Sequence, residues 1–237
     1  AYASVVGKKE GEGPLSRDFD YISDDNTFGE QTWEKAESRM MSMALERALS
    51  KAHLPPSQLG CILGGDLLNQ CIGTTFALRP TNVPFLGLYG ACSTMAEGLL
   101  VASCLVESGF EQTACAITSS HFCSAERQYR YPLEYGGQRP QTAQWTATAS
   151  GAVVLQKGGM GVRITHATPG RIADPGVTSQ ANMGAAMALS AYETISRFFQ
   201  DTHTGPSHYD LIVTGDLGKV GHQIVIDLFQ RDGIDMR

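Results

Sequence analysis

Residues Pro84–Gly109 read PFLGLYGACSTMAEGLLVASCLVESG: a short apolar run, a turn of small residues, then a long and almost wholly apolar stretch. Phe85–Tyr89 is bounded by Pro84 and Gly90, as a buried parallel strand would be. Ser93–Ser108 is too long for a strand and stops at Gly109, as a helix does. The junction puts Cys92 at a helix N-terminus, where free backbone N–H groups and the positive end of the helix dipole favour thiolate and bound anions. Two roles fit Cys92: a small buried packing residue, which is the usual place of a free cysteine, or a residue lining a pocket. A nucleophile at this position would also need a base and an oxyanion site.

Working outward, Trp33, Ala36, Met40, Met41, Ala44, Leu45, Ala48, Leu49 and Ala52 recur at helical spacing before Pro55 and Pro56, and a short strand, Cys61–Gly65, follows. Met183, Ala186, Met187, Ala191, Ile195, Phe198 and Phe199 repeat the pattern, with Leu211–Gly215 as the following strand. A shift of 150 positions superposes Ile62–Leu67 on Ile212–Leu217 and shares the tripeptide Gly-Asp-Leu. A helix, a strand and a tripeptide in one register predict an internal duplication. The division expected is a first half over residues 1–158 and the start of a second over 159–237. Val162–Ala167 reads as the strand that leads into the second copy, whereas its counterpart around Glu12–Asp18 is polar. The same shift carries Cys92 past Arg237. The chain is therefore expected to lack a leading strand and most of its second half. Asp66 and Asp216 read as helix N-caps rather than catalytic carboxylates.

With 237 residues, 42% hydrophobic and 18% charged, the chain can bury a substantial core. No apolar run reaches the roughly 18 residues of a membrane span, so membrane association is expected to run through partners. A formal net charge of -6 argues against general nucleic-acid affinity, which depends on Lys and Arg neutralising phosphates. The six cysteines form no C-x-x-C pair and match no zinc spacing, so no metal site or disulfide framework is indicated and reduced thiols are expected.

A duplicated α/β unit with an Ala-Cys-Ser-Thr turn entering a buried helix resembles the thiolase superfamily, including the β-ketoacyl synthases. Within it, Gly65–Gln70, Tyr89–Thr94, Thr118–His121, Ala125–Pro132, Glu134–Gln138 and Thr214–Leu217 are more closely similar to the stage V sporulation protein AD family of spore-forming bacteria. The resemblance implies a thiolase-like layered α/β/α fold with internal duplication and a truncated second half. It further implies a protein that binds pyridine-2,6-dicarboxylate (dipicolinic acid) and serves its uptake into the developing spore. Implied partners are other stage V sporulation membrane proteins, at the cytoplasmic face or periphery of the forespore inner membrane, with calcium as a companion of the ligand and a homo-oligomer left open. No cofactor is implied. The enzymes of the superfamily complete their site with His and Asn, or Cys and His, from the C-terminal half, and no such residue can be carried onto this chain.

Ser120–Trp145 follows an apolar strand, Ala114–Ser119, and lacks sustained periodicity, while Phe122, Tyr129, Tyr131 and Tyr135 interleave with Arg127, Arg130 and Arg139. Long irregular segments inside compact domains tend to be functional or disordered, and aromatic content opposes disorder. Guanidinium forks, aromatic faces and hydroxyl donors suit a flat dianion such as dipicolinate. The ligand-binding set expected is Cys92, Ser119, Ser120, His121, Arg127 and Arg130. Structural ion pairs for Arg127 and Arg130, a backbone-bonded His121 and a core Trp145 are the competing roles. A thiolase-type acyltransferase or ketoacyl synthase using Cys92 is the alternative function, and a structural subunit with a vestigial cavity is a third.

Overall fold

The structure is a computed structural model describing residues 1–129, 142–179 and 181–236. It divides into two compact units, Ala1–Gly136 with Thr146–Val162, and Gly137–Trp145 with Arg163–Arg237.

The first unit holds strands β1 (Tyr2–Val6), β2 (Tyr21–Ile22), β3 (Cys61–Gly65), β4 (Phe85–Gly87), β5 (Thr113–Ser120) and β6 (Ala149–Gln156) in one sheet of order β2-β1-β6-β5-β3-β4. β3 pairs in parallel with β4 and β5, β6 runs antiparallel to both β5 and β1, and β2 is parallel to β1. Its helices are α1 (Lys8–Gly11), α2 (Trp33–Ala52), α3 (Ile72–Leu78), α4 (Thr94–Glu107) and α5 (Phe122–Tyr129). Alternate strand residues feed opposite faces, as the two-residue period of a strand requires. Ile62, Cys115 and Ile117 pack with Met40, Met41, Leu45 and Leu49 of α2, whereas Cys61, Leu63 and Ala114 pack with Ala102 and Val106 of α4. The sheet is thus covered on both faces, which is why β3 and the first part of β5 carry no polar alternation.

The leading strand is present, contrary to the sequence expectation: β1 pairs residue by residue with β6, and Ala3 and Val5 enter the core beneath α2. It lies ten residues before the segment that the 150-residue shift selects, because α1 and an irregular stretch intervene before α2.

The second unit holds α6 (Met183–Thr202) and α7 (Gly218–Arg231), packed through Ala188, Phe199, Leu217, Val225 and Phe229. α2 and α6 begin and end in register under the same shift. The Thr32 side chain caps one and the Asn182 side chain the other. Each ends on a left-handed histidine, His53 at φ 55° and His203 at φ 54°. The following N–H closes back onto Leu49 or Phe199, satisfying a terminal carbonyl, and a 3-10 turn follows at Pro56–Gln58 or Pro206–His208. The strand that should follow is not matched. Leu211–Gly215 and Val162–Ala167 pair with no strand among the described residues, and Leu211 and Val213 are 77% and 78% exposed. Apolar alternation makes a strand only where a neighbouring strand takes its backbone hydrogen bonds. Trp145, assigned to the core from sequence, is 55% exposed and lies ahead of β6 rather than within it.

Candidate ligand site

Cys92 occupies the turn that leaves β4. Ala91–Ser93 forms one 3-10 turn with Ala91 at φ 49°, the Gly90 N–H donates to Thr94 Oγ1 at 3.1 Å, and α4 starts at Thr94. The helix-end placement matches the sequence, but the side chain is exposed, so the buried-packing role does not hold. β4 is the last strand of the sheet, and the turn departs from that open edge.

At the C-terminal end of β5 the expected contacts are already engaged. Ser119 Oγ donates to Glu37 Oε1 at 3.0 Å, and Ser120 Oγ donates to the Ala147 carbonyl at 2.7 Å. His121 is fully buried beside the Trp33 ring, 5.4 Å between centroids. Its Nε2 donates to the Asn26 carbonyl at 2.7 Å, which fixes the tautomer, and its Nδ1 accepts the Cys123 N–H at 3.1 Å. Burial holds its pKa below the usual histidine range, against the Asn26 bond and the charge of Glu10. His121, expected to answer a ligand carboxylate, instead anchors the start of α5, since neither ring nitrogen points to free space.

The segment read as irregular contains α5. Its first N–H donates to Thr148 Oγ1 and the Ala125 N–H closes onto the His121 carbonyl. The face it buries is Ser124, Ala125 and Glu126, so no apolar period announces it. α5 carries Arg127, Gln128 and Tyr129 toward the loop after β3. Gln128 accepts the Asn69 N–H at 3.1 Å and donates to the Leu67 carbonyl at 3.2 Å and to Asn69 Oδ1 at 3.4 Å. Tyr129 donates to the Leu67 carbonyl and meets the Tyr89 hydroxyl, while Tyr89 reaches that carbonyl at 3.3 Å. Partial desolvation, then the hydroxyl and charge of Tyr89, push Tyr129 up to about 12.

Beside this knot lies an open cleft of about 260 Å³ lined by Glu34, Leu68, Asn69, Ile72, Ser124, Arg127 and Gln128. The Arg127 guanidinium, half-exposed, forms an ion pair with Glu34, the structural role that competes with ligand contact. Cys92 does not line the cleft. Arg130, with Tyr131, Tyr135 and Arg139, lies outside the described residues.

Two buried carboxyls sit behind the cleft. Asp66 accepts the Leu68 N–H at 2.8 Å, the Thr74 N–H at 2.7 Å and the Thr74 hydroxyl at 2.5 Å. It therefore organises the loop into α3 without being that helix's cap, which is Cys71. Asp216 repeats the local bond, accepting the Gly218 N–H at 2.9 Å. Glu37, only 1% exposed on the inner face of α2, accepts Ser119 and, at 2.8 Å, Ser124. Burial raises its pKa to about 7, reinforced by the charge of Asp66 and opposed by the two serines.

A family model for stage V sporulation protein AD matches residues 1–237. The chain belongs to the stage V sporulation protein AD family. Its curated relative of that name from Bacillus subtilis (strain 168) is 45% identical over 230 residues, covering 97% of this chain and 68% of the relative. Among solved structures, 3-oxoacyl-(acyl carrier protein) synthase III of Xanthomonas oryzae pv. oryzae is similar with a TM-score of 0.61 at 15% identity, over 99% of this chain and 80% of that one. The Aquifex aeolicus VF5 enzyme of the same name gives 0.54 at 16% identity, over 83% and 66%. At such identities the likeness establishes a thiolase-like α/β fold and nothing of the chemistry.

Three segments on which the stage V sporulation protein AD resemblance rests, Gly65–Gln70, Tyr89–Thr94 and Ala125–Pro132, meet in the described structure through Leu67, Asn69, Tyr89, Gln128 and Tyr129. Of the expected ligand residues that are among the described ones, Arg127 alone lines the cleft. Asn69, Gln128 and Glu37 were not singled out from sequence. The one available signal was Glu37, a charged residue in the same stripe as Met40 and Met41, three and four positions on.

Proposed function

We propose that this chain binds dipicolinic acid and supports its uptake into the developing spore, with the Arg127 cleft as the seat of the ligand. The reading rests on two family segments, Gly65–Gln70 and Ala125–Pro132, that line one cleft carrying a guanidinium, with the third held beside it through Tyr89. A flat ring with two carboxylates asks for a forked cation, an apolar wall and amide donors. Arg127 supplies the first, Leu68 and Ile72 the second, and the NH2 end of Asn69 the third, its Oδ1 being held by Gln128, whose own amide is engaged with Leu67 and Asn69. Cys92 and the hydroxyls of Ser119 and Ser120 stand outside this contact set, and His121 serves it by fixing α5.

Among the described residues no group of three or more His, Cys, Asp or Glu side chains could hold a metal ion, so calcium would arrive on the ligand's own carboxylates. No described helix is long and apolar enough to cross a membrane. Delivery across the forespore inner membrane would fall to membrane-embedded stage V sporulation partners, with this chain peripheral to them.

Calorimetric titration with dipicolinate tests the site. Arg127→Ala should weaken binding about 10- to 100-fold, the equivalent of roughly 1.5–3 kcal/mol for a charge-assisted bond, while circular dichroism and melting stay as in the parent. Glu34→Gln, which removes the competing carboxylate, should tighten it. Full binding by a folded Arg127→Ala variant would place the ligand elsewhere.

A further inference from the structure

A cleft proposed to take an anion has one carboxylate, Glu34, in its lining and others behind it. The charged and titratable groups on the elements packed around Glu37 are Glu34 on α2 itself, Asp66 after β3, Cys71 before α3, and His121, Cys123, Glu126 and Arg127 on the β5–α5 segment, with Glu10 of α1 acting on His121. These carboxylates are not held alike. Glu34 has the Arg127 guanidinium, and Asp66 has two backbone N–H groups and a hydroxyl. Glu126 accepts the Thr146 hydroxyl at 3.0 Å, among other contacts. Glu37 is buried and its hydrogen bonds come from two serine hydroxyls, Ser119 on β5 and Ser124 on α5, and Ser124 also lines the cleft.

A serine hydroxyl can turn from donor to acceptor, so the Glu37 pocket satisfies either protonation state without moving backbone. The backbone N–H donors to Asp66 have no such second role. An anion seated against Arg127 draws that guanidinium away from Glu34 and adds negative charge one serine away from Glu37. The least costly response is a proton on Glu37.

We propose that Glu37 is a proton switch beneath the cleft, protonated when the cleft holds an anion and ionised when it is empty at higher pH, so that anion occupancy and proton uptake rise together. Only the ligand's identity in this proposal rests on the dipicolinate reading. The linkage is reciprocal: whatever factor the proton adds to anion affinity, the anion adds to proton affinity. The neutral-range pKa of Glu37 places the transition where both forms are populated.

The test compares the parent chain with Glu37→Gln, an isostere that keeps one donor and one acceptor toward the serines. First, without ligand, both are melted between pH 4.5 and 8. A carboxyl whose folded pKa lies above its unfolded value loses its stabilising contribution as pH rises through that window. The parent should therefore lose several degrees of melting temperature relative to Glu37→Gln between pH 4.5 and 7 and then run level with it. A constant difference across the range would overturn the switch. Second, dipicolinate is titrated into both at pH 6 and pH 8.5, in phosphate and in Tris. The parent should bind several-fold more weakly at pH 8.5 and show buffer-dependent heat from proton uptake, and Glu37→Gln should show neither. Binding by the parent that is independent of pH and buffer would refute the coupling. Absence of dipicolinate binding at every pH would instead count against the ligand assigned above, and the ligand-free melting would still decide whether Glu37 switches.

Discussion

Gly64→Ala should destabilise the first unit by about 3 kcal/mol or more, the upper end of what overpacking a rigid site costs. A Cβ built at Gly64 would lie 1.9 Å from the Ile117 carbonyl oxygen and 2.9 Å from Ile117 Cγ2. Both belong to β5, which pairs with the whole length of β3 through Ala114–Thr118 and is covered by helices on both faces, so the obstructing oxygen has nowhere to go. Gly65 meets the same obstacle from the opposite neighbour, 1.9 Å from the Leu88 carbonyl oxygen. The pair of glycines lets β3 sit tightly between β4 and β5 and deliver Leu68 and Asn69 to the cleft. Urea unfolding followed by far-UV circular dichroism is the check. A Gly64→Ala midpoint within error of the parent would mean that β3 and β5 are not packed this closely.

Phe229→Ala should cost the α6–α7 pair about 3–5 kcal/mol, the range for emptying a buried aromatic site. Phe229 is fully buried, 5.0 Å from the Tyr192 ring and 6.3 Å from the Phe199 ring. Close backbone approach at the crossing, where a Cβ on Gly221 would lie 2.4 Å from the Gly184 carbonyl oxygen, leaves the helices little freedom to collapse into the cavity. Hydrogen exchange read residue by residue should show lost protection across α6 and α7. Unchanged protection there would contradict the packing described for this unit.

What the sequence could disclose follows from where the apolar period is intact. α2 is legible over its full length because Ala36, Met40, Met41, Ala44, Leu45, Ala48 and Leu49 all face the sheet, and Pro55 and Pro56 close it. β4, α4 and β5 are legible because runs of apolar residues bounded by Pro or Gly have few other uses in a layered fold. The hidden elements carry their information elsewhere. β1 lies ahead of the segment that the 150-residue shift selects, and α5 buries polar residues whose partners include Glu37 and Thr146. Leu211–Gly215 erred the other way, with strand composition and no strand to pair with among the described residues. Within the site, Arg127 was visible as a cation among aromatics, but its partner Glu34 lies 93 positions earlier, and no local pattern links the two. The burial of His121 and the exposure of Cys92 likewise depend on distant chain: Asn26 seals the first, and the open edge beyond β4 uncovers the second.

The Tyr89–Tyr129 contact over the Leu67 carbonyl gives the molecule an optical signal of its own. A phenol that holds its proton to about pH 12 ionises after ordinary tyrosines, so an alkaline absorbance titration should contain a late component. Tyr192, whose hydroxyl donates to Asp232 at 2.5 Å and whose pKa is also raised, contributes a second, and Tyr129→Phe assigns the first. Because Tyr129 follows Arg127 and Gln128 on the same short helix, its near-ultraviolet band should respond when a ligand moves the guanidinium off Glu34. Occupancy could then be followed by eye of the spectrometer, without attaching a dye.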